Sequence, residues 1–174
     1  MSRATVESML ENGHDAVIAS LIFYIIGGIP LVILHRLSNT LDAMWGYKTA
    51  RFNSFGYFSA RADDILGFLT AKICTLLYAL QQPFIAAITN AYLQGNQYKS
   101  HNGGWVMAAG ATVMNRVLGG NVSYHGQSVQ LTQLGQGKTV NIDDIPRSIS
   151  VVQVATITWV VLVFSYQLIS YIFV

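Results

Sequence analysis

Ser148-Ile-Ser-Val-Val-Gln-Val-Ala-Thr-Ile-Thr-Trp-Val-Val-Leu-Val-Phe-Ser-Tyr-Gln-Leu-Ile-Ser-Tyr-Ile-Phe-Val174 decides the fold class, because these 27 residues contain no Asp, Glu, Lys or Arg. About 20 apolar residues are enough for a helix to cross the ~30 Å hydrocarbon core of a bilayer. The preceding Asp143-Asp144-Ile-Pro-Arg147 reads as a helix start, with carboxylates at the cap and proline in the first turn. Trp159, Tyr166 and Tyr171 are suitable interface anchors. The tail predicts an integral membrane protein.

Composition agrees. The 174 residues are 52% hydrophobic and 10% charged, with ten basic and eight acidic side chains. A soluble domain carries about 25% charged residues, so these are too few to coat one of this size. The net charge of +2 and the absence of a basic run exclude nucleic acid as a partner. The single cysteine, Cys74, cannot form an internal disulfide and reads as a small buried hydrophobe. Glu7, Glu11 and Asp15 replace the basic n-region of a secretory signal peptide, so none is expected.

Two further apolar segments precede the tail. Residues 16–34 are free of charge and bracketed by Asp15 and His35-Arg36, with Gly27, Gly28 and Pro30 inside. Such residues are tolerated in a spanning helix when neighbours cover the freed backbone groups. Residues 65–93 would make a helix of about 43 Å, longer than a span requires, and Gln81-Gln82-Pro83 interrupts it. One kinked helix, or two helices over 65–80 and 84–94, both fit, and Lys72 can snorkel along either. The expected fold is an all-α polytopic membrane protein, a single domain over 1–174. It has about three spans (16–34, 65–93, 148–174) and polar loops at 35–64 and 95–147. Trp105–Leu118 predicts a short helix of small residues stopped by Gly119-Gly120, and 122–140 loop or short strands. Arg36, Lys48, Arg51 and Arg61 place loop 35–64 in the cytoplasm.

Chemistry concentrates in four places. Glu7, Glu11 and Asp15 recur every four residues, one acidic helix stripe that wants a cation or a basic partner, or else simply faces solvent. The segment 35–64 holds seven of the charges, within Asn39-Thr-Leu-Asp42-Ala-Met-Trp-Gly46-Tyr-Lys48, Arg51 and Phe55-Gly56-Tyr-Phe-Ser59-Ala-Arg61-Ala-Asp63-Asp64. Paired carboxylates suit Mg²⁺, and Lys48, Arg51 and Arg61 suit phosphate oxygens. An interfacial loop held by salt bridges accounts for the same residues. Asn102-Gly-Gly104-Trp105 opens a helix whose amides are a weak anion signal. Gly137-Lys138-Thr139 lacks the first glycine of a P-loop, which would fall at Thr132. Asn121-Val-Ser123 fits a glycosylation acceptor by chance, and His14, His35, His101 and His125 lack metal-ligand spacing.

Taken in order, Ala4-Thr-Val-Glu7-Ser with Glu11-Asn12 and Asp15, then the Asn39–Lys48 run, Phe55-Gly56 and Ser59–Asp64, Asn102-Gly-Gly104-Trp105 and Leu118-Gly119-Gly120 resemble the CobD/CbiB family along essentially the whole chain. The resemblance implies adenosylcobinamide-phosphate synthase, a multi-pass enzyme of the bacterial inner membrane in cobalamin biosynthesis. It joins adenosylcobyric acid to aminopropanol, free or phosphorylated, by an ATP-dependent amide bond, with activation plausible as an acyl phosphate. It implies ATP and Mg²⁺, a corrinoid substrate, membrane lipid around the chain, and contact with other proteins of the pathway. It also implies that this chain is the C-terminal part of a longer family pattern with further N-terminal helices. Where the family often has Pro-Asn-Ala-Gly-Trp-Pro-Glu, this chain has His101-Asn-Gly-Gly-Trp-Val-Met107, so no role of that glutamate transfers.

Carried over by position, the expected functional residues are Glu7, Glu11, Asn12, Asp15, Asn39, Asp42, Lys48, Arg51, Arg61, Asp63, Asp64 and Asn102. Asp42, Asp63 and Asp64 are expected to take the metal. Asn12, Asn39, Lys48, Arg51, Arg61 and Asn102 are expected to hold substrate and phosphate. One of Glu7, Glu11 and Asp15 is expected to bind or deprotonate the amine. A straight crossing at 16–34 would put Glu7 and Lys48 on opposite membrane faces. Either the acidic stripe sits deep, or 16–34 is re-entrant around Gly27-Gly28-Pro30, or not every motif is catalytic. The competing reading is a non-catalytic regulator or scaffold resembling the AmpE family, or an inactive fragment. A transporter is disfavoured by charges kept outside the spans.

Overall fold

The computed structural model describes residues 1–46, 55–124 and 127–173. Helix α1 (Ser2–Asn12) runs through a π-helical turn (Gly13–Ile18) into α2 (Ala19–Trp45). Then come α3 (Phe55–Ala79), α4 (Phe84–Gly95), α5 (His101–Val113), strands β1 (Arg116–Tyr124), β2 (Gln127–Gly135) and β3 (Lys138–Thr139), and α6 (Asp144–Phe173).

The decisive feature is a break inside α2. Gly27 lies at φ −145°, ψ 17° and Gly28 at φ 63°, ψ −156°, the latter a region that only glycine occupies freely. After the break the chain turns back. His35 Nε2 donates to the Asp15 carbonyl at 2.9 Å, Arg36 Nη1 donates to the same oxygen at 3.1 Å, and the His35 ring lies 4.9 Å from that of Phe23. In an unbroken helix residues 15 and 35 would be about 30 Å apart. The segment 16–34 therefore turns back on itself, the geometry that the second of the sequence's alternatives requires, and is not one straight helix.

Around this hairpin the core is built on α5, whose residues from Asn102 to Thr112 are buried except the half-exposed Trp105. Its small side chains allow close approach. A Cβ on Gly110 would lie 2.7 Å from Leu10 Cδ2, and one on Gly104 would lie 2.6 Å from the Gly95 carbonyl. Tyr78, fully buried, donates its hydroxyl to the Leu10 carbonyl at 3.0 Å and ties α3 to α1.

Four sequence expectations change. The chain is mostly helical but not all-α. A three-stranded sheet of order β2-β1-β3 occupies part of loop 95–147, with β1–β2 antiparallel and β1–β3 parallel. The Gly119-Gly120 pair sits at an irregularity in β1 instead of stopping a helix. The short helix covers 101–113, not 105–118, because Ser100 accepts from the Gly103 N–H and caps it four residues early. Segment 35–64 is largely the ends of α2 and α3, not loop. Segment 65–93 splits at Gln81-Gln82-Pro83 into α3 and α4, the two-helix alternative.

Among the described residues two helices are long and apolar enough to cross a membrane, Ser2–Trp45 and Asp144–Phe173. The first of these is the broken one. In α6 only Asp144, Ser148, Val151 and Ala155 are buried, and most large apolar side chains from Ile157 onward are exposed. The hairpin tip is likewise bare, with Ile26 and Ile29 at 63% and 66% exposure. An apolar tip and an apolar tail thus project from a packed body, which associates the chain with a membrane.

Candidate functional site

The hairpin brings Asp15, the last acid of the stripe, near the start of α3. Asn39, on the returning arm, donates to Asp63 Oδ1 at 3.2 Å. The charges of Asp15, Asp42 and Asp64 all reach Asp63. Burial first, then the Asp15 carboxylate, pushes Asp63 up to about 6, against the lowering effect of the Asn39 hydrogen bond. The carboxylate is thus held in a crowded, partly desolvated acidic field.

Asn102 completes the wall. It is buried and donates to the Asp64 carbonyl at 2.9 Å, fixing the start of α5 against α3. A Cβ on Gly67 would meet its Nδ2 at 2.8 Å, so the contact needs that glycine. Glu11 points at the same helix start, since a Cβ on Gly103 would lie 2.6 Å from its Oε1. It feels the charges of Asp15, Lys99, His14 and Glu7, and among the described residues no hydrogen bond or ion pair engages its carboxylate.

Two histidines enter that spacing had set aside. Both are 1% exposed. Thr70 gives its hydroxyl proton to the Gly67 carbonyl at 3.1 Å, so it accepts from His14 Nε2 at 2.9 Å. His35 must carry a proton on Nε2 to donate to the Asp15 carbonyl. His14 Nδ1 lies 2.6 Å from Asp15 Oδ1 without the angle of a hydrogen bond. His35 thus holds the Asp15 backbone, and His14 lies beside its carboxylate. Only the fold, through the hairpin, could have revealed them.

Other expected residues fall elsewhere. Glu7 accepts the Gly119 N–H at 2.9 Å and lies 3.9 Å from Arg3, so it fastens α1 to the sheet. Asn12 is exposed and donates to Ser8 on its own helix at 2.9 Å. Arg61 is exposed and donates to Tyr57 at 3.2 Å. Lys48 and Arg51 lie outside the described residues. Asp64 is exposed.

Among the described residues no three His, Cys, Asp or Glu gather as a ready metal cage. Mg²⁺ does not require one, since it is commonly held by one or two carboxylates, several waters and substrate phosphates. The crowded carboxylates of Asp42, Asp63 and Asp64 fit such a cation in charge and in donor type.

The fold and this site define a membrane-associated helical protein with a partly buried acidic pole at the root of a helical hairpin. The profile of the family described as CobD/Cbib protein matches residues 1–152, and the chain belongs to the CobD/CbiB family. It is 43% identical over 159 residues to the cobalamin biosynthesis protein CobD of Stutzerimonas stutzeri, covering 91% of this chain and 52% of that protein. It is 43% identical over 162 residues to the CobD of Chromobacterium violaceum, covering 93% and 52%. The cobalamin biosynthesis protein CbiB of Salmonella typhimurium is 33% identical over 162 residues, covering 90% and 51%. The chain spans about half the length of these relatives. No solved structure matches it.

Proposed function

We propose that the chain supplies the acidic pole of an adenosylcobinamide-phosphate synthase. That enzyme joins adenosylcobyric acid to aminopropanol or its phosphate by ATP-dependent amide formation in the inner membrane. The single observation behind this reading is the return of His35 and Arg36 to Asp15, which sets the last acid of the stripe near Asp63. A regulator or scaffold has no use for several mutually repelling carboxylates in one partly buried place. A reaction that handles a nucleotide and its cation does.

Asp63, with Asp42 and Asp64, would hold Mg²⁺. Bound Mg²⁺-ATP would supply the activation of the corrinoid carboxylate. Asn39 keeps the Asp63 oxygen oriented, and Asn102 keeps α5 close. Of the three acids on the stripe, Glu11 is the one left to take the amine proton. Glu7 is committed to the Gly119 amide, and Asp15 is flanked by His14 and by the returning arm. Lys48 and Arg51 would hold phosphate oxygens.

The test is growth of a strain blocked in this step, supplied with the gene that encodes this chain. Asp63→Ala and Glu11→Gln should fail to restore growth. In the purified enzyme Glu11→Gln should lower kcat by about 10²–10⁴-fold, the usual worth of general base catalysis. Equal growth with Asp63→Ala would sink the metal assignment.

A further inference from the structure

The outward side of α3 is an apolar stripe, with Ile65, Phe68, Leu69 and Leu76 between 48% and 74% exposed. One cation interrupts it. Lys72 Nζ lies 2.9 Å from the centroid of the Trp105 ring and 5.3 Å from that of Phe68. Tyr92, 58% exposed, packs edge-on against Trp105 at 5.9 Å. The indole N–H of Trp105 is committed to Asn96 Oδ1 at 2.7 Å.

Among the described residues no carboxylate pairs with Lys72. Its ammonium rests on ring faces alone, an attraction that strengthens as water is removed. The arrangement is therefore a half-desolvated cation with no anion, set in Trp, Tyr and Phe, on an apolar face of a membrane-associated protein. Aromatic rings concentrate at the headgroup level of bilayers, and lysines there extend their charge toward phosphates.

We propose that this face, formed by α3 with Tyr92 of α4 and Trp105 of α5, lies at the membrane interface and holds the phosphate of an anionic lipid at Lys72. Charge complementarity selects this occupant. A protein partner covering the stripe would have to bring a carboxylate to Lys72, whereas an anionic headgroup brings its charge with its own apolar tails. A lysine at an anionic surface gains enough to favour anionic lipid about five-fold.

The test uses the full chain in vesicles, with Trp45 and Trp159 replaced by Phe so that Trp105 alone emits. Brominated phosphatidylglycerol and brominated phosphatidylcholine are compared as quenchers. Phosphatidylglycerol should reach half-quenching at about five-fold lower mole fraction. Lys72→Gln should equalise the two lipids, and Lys72→Arg should keep the preference. With Lys72 intact, 1 M salt should also erase the preference, which keeps the test valid if the glutamine variant does not fold. Trp105 left unquenched by either lipid would overturn the proposal, because protein would then cover the face. Equal quenching by both lipids with Lys72 intact would overturn it too.

Discussion

Asp144 and Asp63 are both carboxylates on helices at the edge of the body, yet they live in opposite surroundings. Asp144 is 0% exposed and fully satisfied. It accepts from Arg116 Nε at 2.6 Å, Arg147 Nη1 at 2.9 Å and the Asn141 amide at 2.9 Å. Arg147 continues to the Met114 carbonyl at 3.1 Å, so the cluster bolts α6 to the end of α5 and to β1. Asp63 has one amide donor and faces three other acids. A chain able to pair one carboxylate with two guanidiniums leaves the other in a field of its own sign. The first arrangement serves stability. The second costs stability and makes sense where a cation has to arrive.

The sharpest way to break this contrast is at Asp144. Asp144→Ala leaves the mostly buried Arg116 without its carboxylate, and breaking a buried pair costs about 3–5 kcal/mol. Thermal denaturation in detergent should show the largest fall of any substitution considered. A small change would mean that the cluster is not a bolt.

Next comes the hinge that assembles the acidic pole. Gly28→Ala forces a side chain into a backbone region costing about 1–3 kcal/mol. It should lower the melting temperature moderately. It should also loosen the pairing of His35 with Asp15, read as faster exchange or new protease cleavage near Ile29. A variant that melts like the parent would argue against the turn at Gly28.

The smallest and most telling effect has the opposite sign. Folding raises the affinity of Asp63 for its proton, so its ionised form destabilises the native state as pH rises from about 4 through about 6. Asp63→Asn should therefore raise the melting temperature at pH 8 and leave it unchanged near pH 3.5, where the acid is protonated in both states. Mg²⁺ should stabilise the parent at pH 8 and not the variant. A variant that melts lower at pH 8 would make Asp63 a structural residue like Asp144.

Much of the fold was legible in the residues. The charge-free tail and its Asp143-Asp144-Ile-Pro start announced α6, and Gln81-Gln82-Pro83 announced the break between α3 and α4. The sheet was legible only in part: Val122 to Val140 alternates weakly and reads as loop or short strands, and Gly119-Gly120 reads as a helix stop. In β1 that pair takes φ of 68° and 74°, and a Cβ on Gly119 would collide with the Thr132 carbonyl. The start of α5 was misplaced because Gly103 and Gly104 are poor helix formers. Close approach to α4 requires Gly104 there all the same.

At the site, the motifs named Asp15, Asn39 and Asp63, which lie near one another, and Asn102, which donates to the Asp64 backbone carbonyl. His14, His35 and Thr70 stayed hidden because their meeting depends on a reversal of direction that two glycines permit but do not announce. Glu7 and Arg61 were over-read. Each has the right chemistry, yet Glu7 is taken by a backbone amide, and Arg61, exposed and within reach of the Asp64 charge, bonds a tyrosine one turn away.

The broken helix also fixes what the molecule asks of its bilayer. From Ala16 to the turn the apolar arm rises about 16 Å, half the hydrocarbon thickness, so the tip can occupy one leaflet only. Inserted in a bilayer, an arm of that length would displace lipid from one leaflet alone, as a wedge indifferent to bilayer thickness but sensitive to lateral pressure and curvature. Helix α6, near 45 Å long if straight, has the reverse sensitivity. Thin membranes must tilt it, and packed ones must exclude the hairpin.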